Sequence, residues 1–303
     1  MGFDKKTLVV PDGTRYQEHL IVTPGDVVVG DHARTDYGFD AKGRVFLGES
    51  VQVGGGIKAG DDVRADLFCV IEKDVESGAS VYLGERTRVA GKLTVGQDLD
   101  VGDDVKIEGG FNAKGWINIR NPIPIVIYLF VYLLQLMGQG KSEEVERILK
   151  DLEAGEAESL IVGETFLYVP AGSVLGLQDT LVKGNMDVGK ECRVLGNHEV
   201  RGFARVGVKT EVHGAIRADT DVALEDLAEV HGDIVCGGVL RVGNDCHIFG
   251  NVRARIVEMK QTALIDGTIQ ATEGIRFVTP EYLQMKERLA AYESGRQEIQ
   301  SML

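Results

Sequence analysis

Cut into rows of eighteen starting at His19, the chain lines its apolar residues up in fixed columns. The rows begin at His19, Tyr37, Gly55, Lys73, Gly91 and Gly109. The third column reads Ile21, Phe39, Ile57, Val75, Leu93 and Phe111; the ninth, Val27, Val45, Val63, Val81, Leu99 and Ile117. The eleventh is Val29, Leu47, Ala65, Leu83, Val101 and Ile119. The fifth, fifteenth and seventeenth are small or apolar as well, from Thr23, Ala33 and Thr35 onward, and no charge enters any of the six. Paired columns lie two residues apart, which puts both side chains on one face of a strand. Each pair begins six residues after the previous one, which restarts the pattern past a corner. Three strands and three corners per row predict a triangular parallel β-helix, stacked at roughly 4.8 Å per coil. A helical stripe would recur at three and four residues instead. Gly30, Gly48, Gly84, Gly96 and Gly102 fall at the corners, where the absence of Cβ is expected to permit the bends.

The register returns in rows beginning at Gln178, Gly196, Gly214, Gly232, Gly250 and Gly267. Pro11 and Pro170 are 159 residues apart, as are His19 and Gln178. The Gly250 row is one residue short, read as a tightened corner, and Pro122 and Pro280 accordingly stand 158 apart. His198 is the one poor inward residue. A spacing shared by coils and flanking residues indicates duplication of one unit. The predicted fold is all-β: two tandem parallel β-helices of 18 residues per triangular coil, each followed by a capping α-helix. Asn121-Pro122 and Thr279-Pro280 carry the N-cap and first-turn signals of those helices. The expected organisation is a first β-helix over 1–121 and a helical and linker segment over 122–159. A second β-helix over 160–279 and a C-terminal helix over 280–303 complete it.

The segment after the first β-helix is unusual. Ile123 to Met137 is apolar all round, so a helix there needs burial on every side. A membrane span takes roughly 20 apolar residues, more than this run provides. Burial between the β-helices, an oligomer interface and a membrane surface are the three readings, with burial in protein favoured by the length. The residues expected to make self-association or membrane contact are Ile123, Ile125, Val126, Tyr128, Leu129, Phe130, Tyr132 and Leu133.

Composition narrows the chemistry. A net charge of −14, from 33 basic and 47 acidic residues, argues against nucleic acid as a partner. Cys69, Cys192, Cys236 and Cys246 all fall on inward columns, and no CxxC pair or secretory leader is present, which points to a reduced, cytoplasmic protein. His213 and His231 share an outward column in successive coils, with His247 one coil on and two columns away. With Glu211 and Glu229 they are the candidate metal ligands, set against an ordinary solvated ladder. The glycine clusters lack a following helix with Lys-Ser or Lys-Thr, and no GxSxG occurs. No catalytic residue and no cofactor is expected.

Two resemblances sit in the motifs. Leu47-Gly-Glu-Ser-Val51, Val101-Gly-Asp-Asp-Val105 and Val188-Gly-Lys-Glu-Cys192 are similar to the hexapeptide signature of β-helix acyltransferases. Val212-His-Gly-Ala-Ile-Arg-Ala218, Val230-His-Gly-Asp-Ile-Val-Cys236 and Ile248-Phe-Gly-Asn-Val-Arg-Ala254 resemble bactofilins, the polymer-forming cytoskeletal β-helix proteins. The enzymes carry a loop between coils with a His base beside it, whereas these coils run on uninterrupted. The bactofilin resemblance implies a non-enzymatic scaffold that forms a homo-oligomer or polymer. Peripheral membrane contact through 122–137 is left open. The alternative is a hexapeptide-repeat transferase or a metal-dependent β-helix enzyme.

Overall fold

A computed structural model describes residues 4–119 and 165–279. They form an all-β parallel solenoid of about 12 turns, in which each strand pairs with its equivalent 18 residues on. Val45, Val63, Val81 and Leu99 thus stack in one column, and Phe39, Ile57, Val75 and Leu93 in another. The inward side chains fuse into one core, with Ile21, Phe39, Val75 and Leu93 all 0% exposed. One side of the triangle is a 12-stranded sheet, and the other two join into a sheet of 24 strands.

The corners divide their work differently from the expectation. The left-handed position belongs to His32, Ser50, Phe68, Arg86 and Asp104 in the first half, with φ between 52° and 59°. Glu191, Lys209, Leu227 and Asp245 repeat it in the second half. None is Gly. Gly84, two residues before Arg86, has an ordinary φ and is needed for another reason. A Cβ there would lie 2.7 Å from the carbonyl carbon of Asp66 in the coil below. Glycine at these corners lets coils approach, and the bend itself is carried by the residue two places on. Aspartates lock the stacking: Asp62 Oδ1 accepts from the Ser80 amide at 2.9 Å, and Asp98 Oδ1 from the Trp116 amide at 2.7 Å. The short row removes a corner, since Val252–Met259 runs as one strand and the 18-residue step at Ile234↔Val252 and Val235↔Arg253 narrows to 17 at Val239↔Ile256. The next strand, Ile269–Phe277, restores the register at Gly274, whose φ is +120°.

The halves meet through an exchange of strands at their N-terminal ends. Thr7–Val10 stacks in parallel on Asn185–Val188 of the second half, and Phe166–Val169 stacks on Asp26–Val29 of the first. The two exchanged strands touch each other antiparallel, at Val9 and Tyr168. Arg15–Tyr16 pairs with both Leu20–Thr23 and Arg193–Leu195, and Val174–Leu175 with both Asp179–Val182 and Arg34–Thr35. Every strand of the junction has its counterpart 159 residues away, so the junction is a pseudo-two-fold. The solenoid is continuous across it, and the C-terminal coils of both halves face outward at its ends.

Candidate functional site

Among the described residues, the last coils of the two halves leave apolar columns without a following coil. In the first half, Phe111, Ile117 and Ile119 are 50%, 47% and 69% exposed. The column mates of Phe111 and Ile117 one coil deeper, Leu93 and Leu99, are 0% and 1% exposed, and that of Ile119, Val101, is partly buried. In the second half, Ile275 and Phe277 stand above the buried Val257 and Met259 and are likewise about half exposed. Ile117 and Ile119 correspond to Ile275 and Phe277 at the offset of 158, so the two ends present equivalent columns. Trp116 adds an indole that is 85% exposed. Covering each half-exposed aliphatic or aromatic side chain is worth about 1 kcal/mol, half the value of full burial. Strand edges at such ends also carry backbone donors and acceptors suited to pairing with another chain. The second-half strand Ile269–Phe277 is long, nine residues, and apolar at its C-terminal end.

The histidine column is brought together as the register requires. The His213 and His231 rings stack with centroids 4.4 Å apart and planes 13° apart. His231 stacks on Phe249 at 4.4 Å, and His247 lies against Phe249 at 3.7 Å. His213 Nε2 faces Glu211 at 3.3 Å, His231 Nε2 faces Glu229 at 3.7 Å, and His247 Nε2 faces Asp266 at 2.9 Å. Each imidazole therefore turns to its own carboxylate, and the faces of the rings are used against one another. Tetrahedral metal binding needs three or four donors converging on one point. Among the described residues no group of three or more His, Cys, Asp or Glu is arranged to hold a metal.

The cysteines are buried and free. Burial pushes the thiols of Cys69 and Cys236 up to about 11, and those of Cys192 and Cys246 upward as well. Such thiols stay protonated at neutral pH and are poor nucleophiles and poor metal ligands. Among the described residues Asp26 is the buried carboxylate, its side chain 8% exposed, and Arg44 Nη2 donates to it at 2.8 Å. His198 is the one inward imidazole, 2% exposed and without a hydrogen-bond partner on either ring nitrogen. Desolvation pushes it down to about 4, so it is neutral in the core.

Ile123, Ile125, Val126, Tyr128, Leu129, Phe130, Tyr132 and Leu133 lie outside the described residues, as do the two expected capping helices. Among the described residues no helix is long and apolar enough to cross a membrane. The junction strands are the part that the periodicity left open. The 159-residue offset of Pro11 and Pro170 shows only that the duplication extends ahead of the first full rows, and carries no signal of which strands pair there.

Residues 178–275 match the family described as Bactofilin: Polymer-forming cytoskeletal. The matched stretch contains the three Val-x-Gly-x-Ile-x-Ala-type segments and all of the stacked ring column. No curated protein matches the chain, and no solved structure does.

Proposed function

We propose, from the premise that this is a bactofilin-like, polymer-forming β-helix protein, that it acts as a cytoskeletal scaffold subunit assembling through the two ends of its solenoid. The observation that carries the reading is the equivalence of those ends. The internal junction joins the N-terminal ends of the halves, so both outward ends of the described solenoid are C-terminal and display the same half-exposed columns. Two like edges brought together by a two-fold run antiparallel, as Val9 and Tyr168 already do inside the chain. One kind of joint then suffices to extend the chain of subunits in both directions. With a net charge of −14, neighbouring subunits repel at low ionic strength, so assembly strengthens as salt screens them.

Sedimentation velocity and negative-stain microscopy across a concentration and salt series test this. Large linear assemblies are expected for the native chain. Ile119→Asp with Phe277→Asp, one charge at each end, is expected to leave single solenoids with unchanged β-sheet circular dichroism. A native chain that stays monomeric at high concentration and salt, or charged variants that assemble as well as the native chain, would refute the reading. Flotation with anionic and neutral liposomes, with and without residues 122–137, reads membrane contact separately.

A further inference from the structure

We infer that the outer face of the first half is a docking surface for residues 123–137 of the same chain. This goes beyond the assembly reading and does not depend on it. The middle column of that face points away from the core and would ordinarily be polar. It opens on Asn118 and Asp100, then reads Tyr82, Arg64, Phe46 and Val28, and crosses the junction through Tyr168 to Val9. Phe46 is 7% exposed and Tyr168 9% exposed, although both point outward. Between Tyr82 and Val9 the one charge, Arg64, lies over the Tyr82 ring at 4.8 Å, and Arg44 lies 5.3 Å from the Phe46 centroid.

The fold does not ask for this apolar stripe, because the second half builds the same column differently. There the counterparts of Val28, Phe46, Arg64 and Tyr82 are Asp187, Arg205, Ala223 and Arg241, while Glu258 answers Asp100 with the same charge. Arg205 bonds Glu225 at 2.6 Å and approaches Asp187 at 3.3 Å, as expected of a face open to water. The two halves also differ in the segments that succeed them in the chain. The half with the apolar column precedes the apolar run Ile123–Met137, and the half with ion pairs precedes a chain rich in charge, such as Glu281, Lys286 and Glu287.

Path and length fit as well. The chain leaves the first half at the strand Ile117–Ile119 and re-enters at Phe166–Val169, on the same side of the triangle and six strands back. At roughly 4.8 Å per strand that return covers about 29 Å along this face. The stripe from Tyr82 to Val9 spans five such steps, about 24 Å, four of them within that return and the last one strand past it, and a fifteen-residue helix is about 22 Å long at 1.5 Å per residue. An all-round apolar helix needs cover that this stripe supplies on one side, with aromatic rings that match its own Tyr128, Phe130 and Tyr132.

The test uses the full chain with p-benzoylphenylalanine at position 46 or, separately, at position 82. An equal mixture of ¹⁴N- and ¹⁵N-labelled protein is irradiated, digested and analysed by mass spectrometry. The expected cross-links join each probe to peptides of 123–137, with the same isotope on both sides. Mixed-isotope pairs would assign the stripe to a second copy, and absence of links to 123–137 would remove this occupant. Either overturns the inference. A probe at position 205, in the ion-paired column, is expected to give no link to 123–137, and links there at comparable yield would overturn it too. Amide exchange of the unmodified chain gives a readout independent of the probes. Residues 123–137 should exchange at least about tenfold more slowly than an unstructured peptide in dilute, lipid-free, low-salt solution. Free exchange there would also overturn the inference.

Discussion

Replacing His198 separates the pH response of the core from that of the surface. The ring sits between Thr180 of the coil before and Ile216 of the coil after, with no hydrogen-bond partner for either nitrogen. Burial lowers its proton affinity from 6.5 in the open chain to about 4 in the fold. The unfolded chain therefore takes up the proton first, and stability is lost as the pH falls from about 6.5 toward 4. Each tenfold change is worth about 1.4 kcal/mol, so the full loss is about 3 kcal/mol, of which about 2 kcal/mol has gone by pH 5. His198→Ile copies the residue that comes next in the same column. It removes this pH dependence and, by removing two orphaned nitrogens, stabilises the second half at pH 8 by about 2 kcal/mol. Urea unfolding of the native chain and the variant at pH 8, 6 and 5 gives the comparison, because all other titrating groups are common to both. The gap between the two should widen by about 2 kcal/mol from pH 8 to pH 5. A constant gap, or an NMR titration of His198 near 6.5, would refute the reasoning.

Three further outcomes are expected from the packing. Cys69, Cys192, Cys236 and Cys246 should be inert to a thiol reagent at pH 8 in the native protein and all react after denaturation; rapid labelling of the folded chain would contradict their burial. Gly84→Ala should destabilise by about 2 kcal/mol or more, since its Cβ meets Asp66 backbone, while Ser50→Gly, which relieves a left-handed residue at φ 56°, should change stability by less than about 1 kcal/mol. Thermal melts of the two variants check that order. Leu8→Ala, at a site 1% exposed in the exchanged strand, should cost about 2–5 kcal/mol. It should raise amide exchange most in residues 185–188, the parallel partner in the other half, and exchange changes confined to the first coils would argue against the strand exchange.

The coil was legible because its signal is repeated in every row. Six columns without charge can only be satisfied by a circuit that returns each residue to the same side after eighteen steps, and the register Val45, Val63, Val81 and Leu99 is the result. The stacking of His213 on His231 came from the same periodicity. Their orientation did not, because a ring can turn about its own bonds toward Glu211 or Glu229 without changing its column. The junction was not legible for a different reason. Parallel pairing of Thr7–Val10 with Asn185–Val188 is made by backbone groups, which are alike at every residue, and the alternation in Thr-Leu-Val-Val suits any neighbouring coil. Glycine misled at the corners, where its lack of Cβ was assigned to bending. Arg86 and Ser50 carry the positive φ, and Gly84 is small because Asp66 lies beneath it. The exposed end columns were readable in principle, since Ile117, Ile119, Ile275 and Phe277 belong to inward positions in the last rows.

Electron cryomicroscopy of the native chain at elevated salt tests the end-to-end account most directly. One 12-stranded side at roughly 4.8 Å per strand gives each subunit an axial length of about 58 Å. The account predicts filaments one solenoid wide, with strands perpendicular to the axis, an axial repeat near that length, and Ile119 or Phe277 at every joint. Isolated solenoids, or assemblies joined side to side with water at both ends, would contradict it.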